Sequence, residues 1–114
     1  METTPPTGTD VVLALTSLPP NADAAAFVRG LLEAGLIACG TLLPGARSMY
    51  RWRGHIEESA ETVVLLKTTA ACVPLLREHL PSQHPYEVPE LLVLTCVDGL
   101  PTYLAWVAGE VAKG

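Results

Sequence analysis

Apolar and polar positions alternate along this chain in blocks that change period, and each change marks a new element. Val11 to Thr16 is apolar and β-branched, and Pro19-Pro20 stops it, which predicts a short buried strand. After Asn21, a candidate N-cap, Phe27, Val28, Leu31 and Leu32 form a stripe at helical spacing that ends at Gly35, predicting a first helix packed on a sheet. Ile37 to Leu43 reads as a second strand, and Pro44-Gly45 marks a bend or bulge within it.

From Ser48 the period is two. Ser48, Tyr50, Trp52, Gly54 and Ile56 fall on one face, and Met49, Arg51, Arg53, His55 and Glu57 on the other. Ser59-Ala60 then makes a turn into an apolar strand, Thr62 to Thr68, so Arg47 to Thr68 is expected to form one long antiparallel hairpin. Such an arm overhangs a small sheet, and its aromatic face calls for strand pairing with another subunit. A second helix begins between Ala70 and Val73, carries Leu75, Leu76 and Leu80 inward and ends at Pro81. Leu91 to Val97 reads as a fourth strand, and Pro101 opens a last helix with Leu104, Val107 and Val111 on one side. The order β-α-β, β-α-β, α suggests an α+β, ferredoxin-like split βαβ sandwich with a long β-hairpin and an extra C-terminal helix.

Composition narrows this picture. A chain of 114 residues fits one domain, expected over 11-114 behind a disordered tail at 1-10. With 49% apolar but only 5% aromatic residues, the core must be built from Ala, Val and Leu. Charged residues are 17%, below the roughly 25% of ordinary soluble domains, which again points to surface covered by another subunit. A net charge of -5 disfavours nucleic acid as a partner, Arg47, Arg51 and Arg53 being a local exception. Met1 to Asp10 has no signal-peptide pattern and no apolar run is long enough to span a bilayer, so no membrane partner is expected. Three cysteines, Cys39, Cys72 and Cys96, without C-x-x-C spacing suit buried thiols in a reducing cytoplasm rather than a disulfide framework or a zinc knuckle.

The chemistry-bearing segment is His84-Pro85-Tyr86-Glu87-Val88-Pro89-Glu90. Each proline fixes its own φ and drives the residue before it to extended geometry, so the segment must be a rigid loop with His84 and Tyr86 on one side and Glu87 on the other. His84 is open to two readings, a ligand for a metal or a bound anion, or a ring satisfying backbone groups. His79 is separated from it by Pro81, which breaks the register a chelating pair would need, and His55 belongs to the polar strand face. Glu61 and Lys67 share a strand face but lie roughly 20 Å apart, so each needs another partner, with Glu87 or Glu90 the expected mate of Lys67. Tyr50, Trp52, Tyr103 and Trp106 read as interface and core anchors before a ligand cage. The chain has no nucleophile elbow, phosphate-cradling loop or metal helix, and a general acid and base drawn from His84, Tyr86 and Glu87 imply no particular reaction, so no enzyme is expected.

Taken together, five stretches resemble the CutA family of divalent-cation tolerance proteins: Ala38-Cys39-Gly40-Thr41-Leu42-Leu43-Pro44-Gly45, Ser48-x-Tyr50-x-Trp52-x-Gly54-x-Ile56, Glu61 with Leu66-Lys67-Thr68, His84-Pro85-Tyr86-Glu87-x-Pro89-Glu90, and Tyr103-Leu104-x-Trp106. The likeness covers nearly all of Val11 to Val111. It implies a ferredoxin-like fold, a tight homotrimer with strands paired across subunits, an architecture similar to PII-like signal proteins, and a part in tolerance of copper and other divalent ions. The expected ligand-binding cleft lies between subunits and is lined by Tyr50, Trp52, Glu61, Lys67, His84, Tyr86, Glu87 and Trp106, with His84 as the metal ligand. Some bacterial members resemble copper binders with a strand-one cysteine and a His-His pair before the Pro-Tyr. Here Ala14 or Leu15 takes the strand position and the pair is Gln83-His84, so copper or another divalent cation is expected to bind weakly. The alternative is a PII-like sensor of a small anion, or a scaffold, that passes its state to a protein partner.

Overall fold

The computed structural model describes residues 9–111, so most of the expected tail lies outside it. Thr9 and Asp10, the last two residues of that tail, are tied down by backbone bonds from Thr9 N–H to Cys96 O (2.9 Å) and from Ala70 N–H to Asp10 O (2.7 Å). The elements run β1 (Val11–Leu18), α1 (Ala24–Glu33), β2 (Cys39–Trp52), β3 (His55–Thr69), a 3-10 turn (Ala70–Cys72), α2 (Val73–Gln83), β4 (Leu92–Thr95) and α3 (Pro101–Glu110). The sheet order is β2-β3-β1-β4 with every neighbouring pair antiparallel, the ferredoxin-like arrangement.

Register decides which side chains meet. Ala14 faces Leu66 and Thr16 faces Val64, and on that face Ala14, Leu18, Val64 and Leu66 pack against Val28, Leu31, Leu76 and Leu80 of α1 and α2. Gly40 permits this contact, because a Cβ there would lie 2.5 Å from Val28 Cγ1. Val107 and Val111 at the end of the chain close a second cluster on Val11, Ala38 and Cys72. The opposite face carries Leu13, Leu15, Val63 and Leu65, with Leu43, Leu92 and Leu94 about half exposed around them. That is a lot of apolar surface for a sheet to leave open.

β1 pairs with β3 only from Thr62 to Thr69, so β3 from His55 to Glu61 has β2 alone as a partner and forms an overhanging arm. The arm lengthens the molecule to 53 Å, and the radius of gyration of 15.7 Å exceeds the roughly 13 Å of a compact chain this size.

Four expectations are corrected. The hairpin turns at Arg53-Gly54, not at Ser59-Ala60: Trp52 pairs with His55, and both turn residues have positive φ (49° and 83°), the requirement of a tight two-residue turn whose twist matches the strands. Moving the turn by six residues reverses the faces beyond it, so Ile56 opposes Arg51 while His55 and Glu57 join the face of Trp52 and Tyr50. The first helix is capped by Asp23, whose carboxylate accepts from Ala26 N–H (2.9 Å), not by Asn21, and Leu32 faces out. In α2, Leu75 is exposed and the helix continues through Pro81 to Gln83, since a proline in the last turn removes only one bond and His84 N–H closes the end on Pro81 O (3.3 Å). β4 is trimmed to Leu92–Thr95.

Candidate functional site

Pro44-Gly45 does make a bulge, and the site depends on it. Leu43 pairs with Val63 and Ala46 with Glu61, so β2 spends three steps where β3 spends two, with Gly45 at φ 82° in the left-handed region that the extra residue demands. The odd-numbered residues of β2 face the sheet's open side before the bulge and the even-numbered ones after it. Ser48, Tyr50 and Trp52 are thereby brought to the same face as Glu61.

That face forms one wall of a cleft of about 460 Å³, and the proline-stiffened loop forms the other, contributing Tyr86, Glu87, Val88 and Glu90. Ser17 at the end of β1 and Glu61 of β3 lie between them and are buried. Tyr86 O–H donates to Glu61 Oε2 at 2.7 Å, Ser17 Oγ donates to Glu90 Oε1 at 3.2 Å, and Tyr50 Oη meets Ser59 Oγ at 2.9 Å. At the mouth, Arg53 from the arm's turn pairs with Glu87 (3.3 Å) and lies over the Trp52 ring, its guanidinium carbon 5.4 Å from the centroid. Both members of that ion pair are exposed, so it holds the rim loosely.

Burial pushes the Glu61 carboxyl upward in pKa, but hydrogen bonds from Ser48, Tyr86 and Ser17 outweigh it and hold the group below its ordinary value. Tyr86 moves the other way, raised first by burial and then by its bond to Glu61 and that carboxylate's charge. At neutral pH the site therefore holds a fixed anion and a phenol that keeps its proton.

His84 is buried beneath this loop, not in the cleft lining. Its Nδ1 accepts from Tyr86 N–H (3.1 Å), which leaves the proton on Nε2 to donate to Ser17 O (2.8 Å). Phe27 meets the ring edge-on and Tyr86 packs on it at 5.0 Å. Of the two readings, this is the ring that satisfies backbone groups, and a metal could reach it only by displacing one of those bonds. The break expected at Pro81 between His79 and His84 is absent, since α2 runs through Pro81 to Gln83, and the His79 carbonyl accepts from Ser82 Oγ (2.7 Å). Among the described residues no group of three His, Cys, Asp or Glu side chains is placed to hold a metal ion.

Within one chain the structure brings together Tyr50, Trp52, Glu61, Tyr86 and Glu87 of the residues expected in a cleft between subunits, and leaves Lys67, His84 and Trp106 outside this lining. Lys67 does not pair with Glu87 or Glu90. It contacts Thr41 Oγ1 and Cys39 Sγ (3.8 Å) across the β2–β3 ladder, because the pairing of Lys67 with Cys39 keeps it at the far end of the sheet. Trp106 packs on Tyr103 (5.8 Å between ring centroids) on exposed α3. Of the remaining lining residues, Ser48, Val88 and Glu90 lay within singled-out motifs but were not placed in a cleft, and Ser17 carried no signal at all, being brought in by strand register alone.

The chain's similarity to known proteins spans the whole fold. A family model described as CutA1 divalent ion tolerance protein matches residues 12–110. The divalent-cation tolerance protein CutA of Pectobacterium atrosepticum is 45% identical over 98 residues, 86% of this chain and 89% of that one. Among solved structures, CutA from Xylella fastidiosa superposes with a TM-score of 0.87 at 39% identity, covering 91% of this chain and 100% of that one. CutA1 from Oryza sativa gives 0.88 at 26% identity over 95% of this chain and 99% of that one.

Proposed function

The chain belongs to the CutA1 divalent ion tolerance family, and from that premise we propose that it works by binding a small ligand in the arm–loop cleft of an oligomer, without catalysing a reaction. The observation that carries this reading is the bond between Tyr86 and Glu61, which locks the loop to the arm around a cleft of about 460 Å³ before any ligand arrives. A site ordered in advance loses little entropy on binding. Catalysis fits poorly, because acid–base work needs a group whose pKa lies near the working pH, and Tyr86 and Glu61 are pushed away from it in opposite directions. Tight capture of copper fits poorly too, since both His84 nitrogens are committed within the fold. Divalent-ion tolerance is then served by weak metal binding or by response to the small ligand.

The oligomer we propose is the homotrimer implied by the family likeness. Its support here is physical: an open apolar sheet face around Leu13, Leu15 and Leu65, a short β4 edge and an arm with Met49 and Ile56 each 70% exposed. Cys39 and Cys96, partly exposed thiols outside any disulfide, suit a reducing cytoplasm. Among the described residues no helix is long and apolar enough to cross a membrane.

Calorimetry tests the proposal. Titrating wild type and Glu61→Gln with copper(II), zinc(II) and a panel of small molecules should give saturable heat with a small molecule that the substitution weakens. Tight stoichiometric copper heat that survives Glu61→Gln and vanishes in His84→Ala would sink it. Light scattering should report three subunits per particle, and a stable monomer would overturn the assembly.

A further inference from the structure

Resting on the reading of the arm–loop cleft as a ligand site, we infer that its ligand is a small protonated amine with an apolar body: an ammonium seated between Glu61 and Glu90, its hydrocarbon against Tyr50 and Trp52.

The hydrogen-bond count leads to this class. Of the three carboxylates lining the cleft, Glu61 and Glu90 together offer about eight acceptor positions. Tyr86 and Ser48 supply one donor each to Glu61, while the one proton of Ser17 must serve both Glu61 and Glu90. The buried Glu61 is therefore short of donors, and a ligand N–H would relieve the shortage, while the exposed Glu90 gives the same N–H a second acceptor. The charge count agrees. Glu87 is balanced by Arg53 at the rim, and among the described residues no lysine or arginine pairs with Glu61 or Glu90. His84 lies behind the loop, its Nδ1 accepting from Tyr86 N–H and its Nε2 directed at Ser17 O, so it makes no hydrogen bond to either carboxylate. An anion entering here would meet two carboxylates that no described lysine or arginine pairs with, so phosphates and other small acids are disfavoured. A bare metal ion would gain from the carboxylates, but it would have no use for the half-exposed rings of Tyr50 and Trp52. An ammonium uses both, since the faces of aromatic rings attract cations and cover hydrocarbon. Arg53 already exploits the Trp52 ring in this way.

The same chemistry could come from a lysine of a second copy, and the experiment separates the two sources. The probes are cyclohexylammonium, cyclohexanol and cyclohexanecarboxylate, which share one ring and differ in charge, titrated into the intact oligomer at pH 7 by calorimetry. Cyclohexylammonium should saturate, at least about tenfold tighter than cyclohexanol, with no heat from the carboxylate. Both Glu61→Gln and Trp52→Leu should weaken it by about tenfold, the second variant serving if the buried first one fails to fold. Binding of cyclohexanol or cyclohexanecarboxylate as tightly as the amine overturns the amine class and leaves the cleft a ligand site. No binding by any probe, with Glu61→Gln splitting the particle in light scattering, overturns a free ligand in favour of a neighbour's lysine. No binding by any probe or panel compound, with the particle intact, overturns the amine and the ligand site together.

Discussion

Replacing Tyr86 by phenylalanine removes one oxygen from the point where the loop meets the arm. The lost bond is a 2.7 Å O–H···O⁻ contact to a carboxylate that is 6% exposed. Bonds to a charged partner contribute about 1.5–3 kcal/mol net, and a buried acceptor left short of a donor puts the cost toward the upper end, about 2–3 kcal/mol. The pH dependence follows from Glu61. Its pKa in the fold lies below its ordinary value, so its ionised form stabilises the protein above the unfolded pKa of about 4.3, and that contribution is lost as pH falls through the lower, folded value. In Tyr86→Phe the folded pKa rises, so the wild-type advantage is largest at neutral pH and shrinks in acid. Urea unfolding at fixed protein concentration, at pH 7 and again near pH 4, measures this for wild type, Tyr86→Phe, Glu61→Gln and the double variant. The two substitutions should couple by more than about 1 kcal/mol at pH 7 and by less in acid. A Tyr86→Phe cost that is the same in the wild-type and Glu61→Gln backgrounds, or the same at both pH values, would show that the bond does not hold the loop.

Gly40→Ala places a Cβ 2.5 Å from Val28 Cγ1, a side chain 7% exposed and unable to retreat, so it should cost about 1–3 kcal/mol in urea unfolding. Thr16→Val should instead stabilise by about 1 kcal/mol in the same assay, because Thr16 Oγ1 is buried without a hydrogen-bond partner among the described residues and valine keeps its shape. Asp23→Ala removes the carboxylate that accepts from Ala26 N–H and should lower stability by about 1 kcal/mol, with Asp23→Ser recovering most of it. Deleting Gly45 should turn Tyr50 and Trp52 away from Glu61, and a Trp52 fluorescence unchanged by the deletion would refute the bulge's role.

The elements were legible because each is a local pattern: the stripe that buries Val28 and Leu31, the apolar run of β1, the proline that opens α3. Pro44-Gly45 announced its bulge for the same reason, and the prolines around Tyr86 announced a rigid loop. The turn was misplaced because alternation continues smoothly across Arg53-Gly54, and an arginine at positive φ carries no compositional signal. From that single slip followed the wrong face for Ile56 and His55. Lys67 was given a carboxylate because charge alone suggested a mate, whereas its place along the strand put it beside Cys39 and Thr41, away from the glutamates of the loop.

By itself, then, the order of residues determined the helices and strands, the family and a short set of polar and aromatic candidates. Only the tertiary structure decided that Ser17, Ser48, Glu61, Tyr86 and Glu90 share one cleft while His84 lies buried behind it. Those residues come from three strands and a loop up to 73 positions apart, as Ser17 and Glu90 are. Their meeting is set by antiparallel register and by one extra residue in β2, and such long-range pairing leaves no mark on the neighbours of any of them.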